Sequence, residues 1–527
     1  MSVWDHVELG ILAVFQGPAL VEVLGVAIPM TVAMVVFGFL AGVAAGATPG
    51  IAGPMAMAVA LPILISVFGY ESAALLPVLG FLIGVMKGAT VGGAVPAILF
   101  NTPGTPDALL TTFDGHPMTR KGRSGKALRV AHFSSVSGDT VSDIALFVCA
   151  PFLAVVVEAH LDLPEKTALI ILSMSFIAAV VGKSVTKGLI AAGLGMLVAF
   201  IGTGEDFHPR LTGGAPFLAS GFPVVAAVLG VLVLGEVLKG IEDLARERAA
   251  TGTIRQLEDS GDNRLTGRER RRLLPFIFNS AAIGTAVGAL PGVGSTLAAT
   301  LGYASGRRMQ ERRGGAAFGS GVAEGVAATE AANSAVSGAN LIPVLSLGIP
   351  GNAAAVFLIL AMESIGGFNP GPGVFRVPSE GLNGEMVIAF GIFTAMVIAN
   401  LLNWTVGGAF MRAMGVMVRV PKQILLPSVL LVTLTAIYAQ ETRFSALVVA
   451  LGFGVLGYLF RRLEISVLPF VIAFILAGAL EDTARQAFAA TGGDPFFLLN
   501  RPLALAFMVL AVAVVVIVSR RKQETVP

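Results

Sequence analysis

The sequence predicts an all-α integral membrane protein, polytopic, built on two inverted-topology repeats with broken or re-entrant Pro-Gly helical hairpins. Three observations predict it. Charge is scarce and apolar residues come in bilayer-length blocks; basic and acidic loops alternate; and one pair of Pro-Gly elements occurs in each half.

Of 527 residues, 13% are charged and 55% hydrophobic. Soluble domains carry about 25% charged residues, so this chain could not cover a water-facing surface. Leu24–Ala45, Phe217–Leu238 and Pro502–Val518 carry at most one charge each and match the length a bilayer requires. The lipid bilayer is therefore the first expected partner. The net charge of +2 decides little, because a membrane protein's charges sit in its loops. Cys149 is the only cysteine, which excludes an intrachain disulfide and a cysteine metal site. Its surroundings, Ile144–Val157, predict a small buried apolar side chain. Met1–Gly10 has no Lys or Arg, so it lacks the basic region of a signal peptide and is expected to stay in the mature chain.

The loops give orientation. Basic residues cluster at Arg120, Lys121, Arg123, Lys126 and Arg129, and again within Lys239–Arg272, Arg307–Arg313, Arg412–Lys422, Arg461–Arg462 and Arg520–Lys522. The positive-inside rule places these in the cytoplasm. Glu71, Glu158–Glu165, Gly204–Phe207, Glu363–Glu385 and Glu481–Asp494 mark acidic or neutral loops expected outside. The N-terminus then falls outside and the C-terminus inside, with roughly 12–15 crossings. Ile241–Arg272 reads as a partly helical cytoplasmic linker whose charges form a solvated face, with no nucleic-acid partner expected.

Each half carries a matching pair of Pro-Gly elements. Gly46-Ala-Thr-Pro-Gly50 in the first half matches Gly288-Ala-Leu-Pro-Gly292 in the second. Pro96-Ala-Ile-Leu-Phe-Asn-Thr-Pro103-Gly104 matches Pro343-Val-Leu-Ser-Leu-Gly-Ile-Pro350-Gly351, with the same spacing from Pro to Pro-Gly. Two matching pairs in the same order indicate an internal repeat. Between the elements the first half has acidic Glu71 and the second has basic Arg307–Arg313. The halves thus point in opposite directions, as in many secondary transporters. A channel could share this feature. The resulting division is residues 1–130 (first repeat), 131–240 (further helices), 241–272 (linker), 273–410 (second repeat) and 411–527 (C-terminal helices).

Pro removes a backbone donor and Gly tolerates dihedrals that other residues resist, so Pro-Gly breaks a helix. Within a bilayer, broken backbone is tolerated only inside protein or along a wet cavity. The N–H groups at a half-helix start suit an anion, and the carbonyls at a half-helix end suit a cation. Asn101, Thr102 and Thr105 flank one break, and Ser346, Gly348 and Asn352 its counterpart; Thr48, Ser295 and Thr296 flank the other pair. The alternative is that the breaks merely kink packed helices. Glu324, Glu330, Asn333 and Asn340 lie in the apolar run Phe318–Leu345, and Asp139 and Asp143 follow Arg129. Intramembrane carboxylates are functional candidates by default. Lys87 either snorkels or pairs with a carboxylate.

Several longer segments resemble the large permease subunit of tripartite tricarboxylate transporters, the TctA family. They are Gly46–Gly53, Gly92–Pro106, Asp114-Gly-His-Pro-Met-Thr-Arg-Lys-Gly122, Phe318–Gly325, Ala328–Asn333 and Leu341–Gly351. Ile201–Thr203, Glu481–Phe488 and Arg501-Pro502 also fit, so the resemblance spans nearly the whole chain. Departures are Lys87 and Val91 at usual tyrosines, Thr329 at a usual proline and Ser334 at a usual asparagine. The resemblance implies a periplasmic solute-binding protein (TctC-like) and a small four-helix membrane subunit (TctB-like) as partners. It also implies import of a carboxylate (a tricarboxylate such as citrate, a dicarboxylate or a related organic anion) across the bacterial inner membrane, driven by Na⁺ or H⁺.

The working site assignment places the substrate carboxylates at Asn101, Thr102, Pro103, Gly104, Thr105, Pro350, Gly351 and Asn352. It places the coupling cation, with Na⁺ as the only metal considered, at Thr48, Pro49, Gly50, Pro291, Gly292, Ser295, Glu330, Asn333 and Ser346. No other cofactor is expected. The five histidines are scattered, and neither His-Glu-x-x-His nor Gly-x-Ser-x-Gly occurs, so an intramembrane enzyme is the weaker alternative. Gly122–Lys126 lacks the spacing of a nucleotide-binding loop.

Overall fold

The structure, a computed structural model, describes residues 2–16, 19–23, 26–48, 51–103, 105–182, 184–203, 208–247, 263–292, 294–378, 381–414 and 422–524. The architecture is that of an all-α polytopic membrane protein. In chain order the first helices are α1 (Val3–Phe15), α2 (Met30–Ala47), α3 (Gly53–Phe68), α4 (Leu75–Gly92), α5 (Ala94–Phe100), α6 (Thr111–Arg120) and α7 (Ser124–His160). Next come α8 (Leu163–Val180), α9 (Val185–Ala199), α10 (Val224–Leu229), α11 (Gly235–Glu247), α12 (Gly267–Gly288), α13 (Gly294–Arg312), α14 (Ala323–Ala339) and α15 (Leu341–Leu347). The remainder are α16 (Ala353–Ile365), α17 (Gly384–Leu402), α18 (Gly408–Ala413), α19 (Lys422–Glu441), α20 (Phe444–Arg462), α21 (Leu468–Ala490) and α22 (Pro502–Glu524). Among the described residues nine helical runs are long and apolar enough to cross a membrane, and α3, α9 and α16 are shorter apolar helices.

The span expected at Leu24–Ala45 begins later than the hydropathy suggested. Val26–Pro29 pairs as a strand with Ala19–Val23, and α2 starts only at Met30. Pro29 has no N–H and sits where a helix can begin, and Val26 and Ile28 are β-branched. In the stretch read as a linker, α11 runs to Glu247, and α12 opens on a Thr266–Glu269 capping box. Residues 248–262 between them lie outside the described residues.

The chain forms two compact units. One comprises residues 1–155, 249–290 and 294–424 and contains the repeat helices α2–α6 and α12–α16; the other comprises 156–248, 291–293 and 425–527. In the first unit α2 and α4 lie backbone to backbone. A Cβ on Gly38, Gly42 or Gly46 would fall on the carbonyl oxygens of Phe81, Val85 and Ala89. One on Gly84, Gly88 or Gly92 would fall on those of Val35, Phe39 and Val43. Glycine every fourth residue on both faces is what lets two membrane helices approach this closely. The second repeat is tightened similarly, with Gly284 on the Ala332 carbonyl.

The outward faces are apolar, as lipid requires. On α7, Ile144, Val148, Phe152 and Val155 form an exposed stripe at helical spacing. Cys149 lies beside that stripe and is exposed, contrary to the buried position its apolar neighbours suggested. An apolar run predicts burial only where water is the solvent; in a bilayer the lipid-facing side is apolar too.

In the second unit, α8, α9, α21 and α22 pack together, and α20 packs on α10, α11 and a π-helical turn at Gly230–Leu234. Such a turn frees backbone carbonyls. Here the Arg461 guanidinium donates to the Val231 and Leu232 carbonyls and also pairs with Glu236. Arg210 and Glu481 form a bidentate pair at 2.8 and 3.0 Å.

Candidate functional site

The two repeats share element order and the geometry that ends their short helices. α2, α3, α4, α5 and α6 correspond to α12, α13, α14, α15 and α16. The short helices α5 and α15 both end in a left-handed residue five positions after their proline: Asn101 at φ 55° and Gly348 at φ 70°. The Thr102 N–H donates to the Pro96 carbonyl, and the Ile349 N–H to the Pro343 carbonyl, each at 3.2 Å. These are matching C-caps of the αL type, favoured by Gly and tolerated by Asn. In the first repeat Thr119 and His116 also reach the Ile98 carbonyl, at 2.9 and 3.3 Å.

The other two breaks lie at the ends of α2 and α12. Thr48 is buried and donates to the Ala44 carbonyl at 2.8 Å, closing α2. Pro49 and Gly50 lie outside the described residues, as does Gly104. Pro291 and Gly292 form a turn with Gly292 at φ 79°; they group with the second unit, where Gly292 rests on Ile177. Ser295, half-buried, is in the first turn of α13.

The repeats meet crosswise. Thr296, on α13, donates to Asp107 at 2.6 Å, just beyond the Asn101–Thr105 break. In the other direction α3 packs on α16. The helix after the first break of each repeat therefore adjoins the segment after the second break of the other. Asn101 and Thr102 are exposed, Pro103 is half-buried and Thr105 is buried. Pro350 and Gly351 are buried; Asn352 caps α16 by accepting from the Ala355 N–H at 2.9 Å. Ser346 donates to the Ile342 carbonyl at 2.5 Å. A Cβ on Gly351 would touch Asn340 at 3.4 Å, and one on Gly93 would touch the Thr105 hydroxyl at 3.0 Å. Asn340 is buried with both ends of its amide unpartnered, so it offers a donor and an acceptor to a ligand or water.

A polar seam runs between α7 and α14. Glu330 is fully buried and accepts from Thr111, the first residue of α6, and from Ser135 at 2.9 Å. Asn333 is buried one turn further along α14. One and two turns along α7 from Ser135, Asp139 and Asp143 accept from Lys87, Asp139 at 2.8 Å and both oxygens of Asp143 at 3.0 and 2.8 Å. Ser337 also donates to Asp139, and Asn400 of α17 to Asp143 at 2.6 Å. Lys87, undecided from sequence, is thus a buried ion-pairing residue.

Two further clusters complete the first unit. Asp114 is fully buried and accepts from the N–H groups of Gly319, Gly321 and Val322 at 2.9–3.0 Å and from the Tyr303 hydroxyl at 3.0 Å. It thereby ties α6 of one repeat to the start of α14 in the other. Arg129, Arg264, Arg270 and Arg412, with His132 and Trp404, line a cavity of about 470 Å³ with no carboxylate among its described lining residues. One wall is a π-helical turn, Asn403–Gly407, whose Asn403 carbonyl accepts from His132 at 2.9 Å. A wall of one charge sign favours an anion.

The model of the tripartite tricarboxylate transporter TctA family matches residues 32–472. The chain belongs to this family. It is a multi-pass membrane subunit of a tripartite tricarboxylate-type transporter. This TctA-family chain is similar to two proteins of Agrobacterium vitis. It is 28% identical over 499 residues, covering 93% of each chain, to "Uncharacterized 52.8 kDa protein in TAR-I ttuC' 3'region". It is 27% identical over 238 residues to "Uncharacterized protein in TAR-II ttuC' 3'region", covering 44% of this chain and 93% of that one. No solved structure matches it.

Sequence reasoning missed Asp114, Thr111, Ser135, Asn400 and the arginine-lined cavity. Ser135, Asp139 and Asp143 recur every fourth residue, and Asn400 interrupts an apolar helix; both signals were readable as an intramembrane polar face. Asp114 was not, because its partners are backbone N–H groups two hundred residues away.

Proposed function

We propose that this TctA-family chain imports carboxylates delivered by a periplasmic solute-binding protein, working with a small four-helix membrane subunit in the bacterial inner membrane. An H⁺ or Na⁺ gradient drives the import. The N-terminus faces outward and the C-terminus the cytoplasm. The observation that carries the reading is the crosswise contact of the repeats: α13 reaches Asp107 just beyond the Asn101–Thr105 segment, and α3 packs on α16. Helix N–H groups favour a carboxylate at the start of α16, and the unpartnered Asn340 amide lies against Gly351 beside it. Substrate is held by the Asn101–Thr105 and Pro350–Asn352 segments, with Asn340 behind Gly351. The arginine-lined cavity, built from the basic stretches expected inside, is the anion's way out.

The test is uptake of labelled carboxylates into proteoliposomes carrying the chain and its small subunit, with the binding protein added outside. Accumulation above the outside concentration that stops when ionophores collapse the gradients is the expected result. Simple equilibration would make the protein a channel, and accumulation that survives the ionophores would overturn gradient coupling. The ligand carried by the purified binding protein identifies the carboxylate.

A further inference from the structure

We propose that Lys87, Asp139, Asp143 and Asn400 form the coupling site, which takes up one proton per transport cycle on the Asp143 carboxylate. The inference deepens the transporter reading and rests on it. It also moves the coupling cation away from the residues that sequence alone singled out.

One ammonium faces two carboxylates, and the side chains of all three residues are at most 4% exposed. With all three ionised the cluster carries one uncompensated negative charge, and burying such a charge is costly. One further positive charge neutralises it. Lys87 already lies between the carboxylates, donating to three of their oxygens at 2.8–3.0 Å, and this fills the place an alkali cation would take.

Asn400 points to the proton. It is buried, its Nδ2 meets Asp143, and its Oδ1 has no partner. An amide offers a donor to an ionised carboxylate and, turned over, an acceptor to a protonated one. One side chain thus serves both states of Asp143. When Asp143 gains a proton, an O–H bond forms on a carboxylate oxygen that until then accepted from Lys87 or Asn400. The cluster goes from one net negative charge to none, with Lys87 remaining an ammonium paired to Asp139. The proton is taken from the outer solution and released with the substrate to the cytoplasm.

The setting isolates this switch. Of the helices packed on α4, α2 and α3 carry no ionisable side chain. α14 brings Glu324 and Glu330, the latter held by Thr111 and Ser135; α16 brings Glu363 and α17 Glu385. On α7 itself the neighbouring ionisable side chains are His132, bonded to the Asn403 carbonyl, and Cys149, which is exposed beside the apolar stripe. The cluster touches four helices, α4, α7, α14 and α17, so its charge can bias how they pack.

The experiment has two parts. Infrared difference spectra of the purified chain, recorded across a pH titration, should show a carboxylic-acid carbonyl band that Asp143→Asn removes. That variant leaves Lys87 paired with Asp139 and should fold. In proteoliposomes without sodium, a pH gradient should drive carboxylate accumulation by the wild type, and Asp143→Asn should abolish it and flatten the pH profile of carboxylate exchange. Wild-type exchange of labelled for unlabelled carboxylate, which needs no gradient, checks the transporter reading separately. If exchange is present but Asp143→Asn and Asp139→Asn keep full pH-driven accumulation and the infrared band, the coupling site is overturned. A sodium gradient that alone sustains accumulation would overturn the proton assignment.

Discussion

Replacing Asp114 with asparagine keeps the shape of a fully buried side chain and removes its charge. The carboxylate accepts from the N–H groups of Gly319, Gly321 and Val322 and from the Tyr303 hydroxyl. A hydrogen bond to a charged group is stronger than a neutral one by about 1 kcal/mol, so losing charge assistance on the three backbone bonds costs about 3 kcal/mol. Asp114→Ala costs more, because it orphans those N–H groups at about 1–3 kcal/mol each. Gly319 is exposed, so water can reach it and the total stays toward the lower end. Tyr303→Phe removes one bond and should cost about 1–2 kcal/mol. Thermal unfolding in detergent, followed by fluorescence-detected size exclusion at a single heating rate, should rank the variants wild type, Tyr303→Phe, Asp114→Asn and Asp114→Ala. The asparagine variant should fall by about 5 °C. Asp114→Asn melting with the wild type would refute the claim that this carboxylate fastens the two repeats together.

Other substitutions separate packing, capping and substrate contact. Gly84→Val puts side-chain atoms onto the Val35 carbonyl and should cost about 1–3 kcal/mol or prevent assembly. The same change at Gly193, where a Cβ meets nothing within 4 Å, should leave the melting temperature within a degree or so. Asn352→Ala should cost about 1 kcal/mol through the lost cap of α16, whereas Asn352→Asp keeps the cap. Because aspartate sets a negative charge beside the proposed carboxylate site, it should raise KM for uptake without lowering stability; an unchanged KM would remove Asn352 from that site. Arg412→Gln should raise KM for exchange from the cytoplasmic face and leave the outer KM alone, measured in sided vesicles. Equal effects on both faces would argue against the cavity as an exit.

The fold class was legible because the bilayer imposes it: scarce charge, long apolar runs and alternating loops admit few alternatives. The repeat was legible because backbone breaks need Pro and Gly, and these letters stand at fixed spacing. Legibility ended where a residue's meaning depends on its partner. Lys87 in an apolar helix could have snorkelled; only the packing of α4 against α7 makes it an ion-pair partner. Cys149 was misplaced because hydropathy cannot tell a lipid-facing side from a core-facing one. The start of α2 was misjudged because an apolar run does not show where β-branched residues and Pro29 favour a strand.

Between the repeats, backbone geometry matches while side-chain chemistry differs. Asn101 and Gly348 share one left-handed cap, yet only Asn101 brings an amide there. At the hinge before each short helix the roles exchange: Gly93 faces the Thr105 hydroxyl, and Asn340 lies against Gly351. In the first repeat the polar group is thus carried on the segment beyond the break, and in the second it is carried on the hinge. A symmetric frame supplies two equivalent sets of helix ends, and two equivalent sets would bind two equivalent ligands. Placing the side-chain amides and hydroxyls unequally on that frame lets one set of helix ends differ from the other in what it holds. The same division explains why the ionic cluster draws Lys87 from the first repeat, Ser337 from the second, and Asp139, Asp143 and Asn400 from α7 and α17. A charge change there acts on both repeats at once, which a site confined to one break could not do.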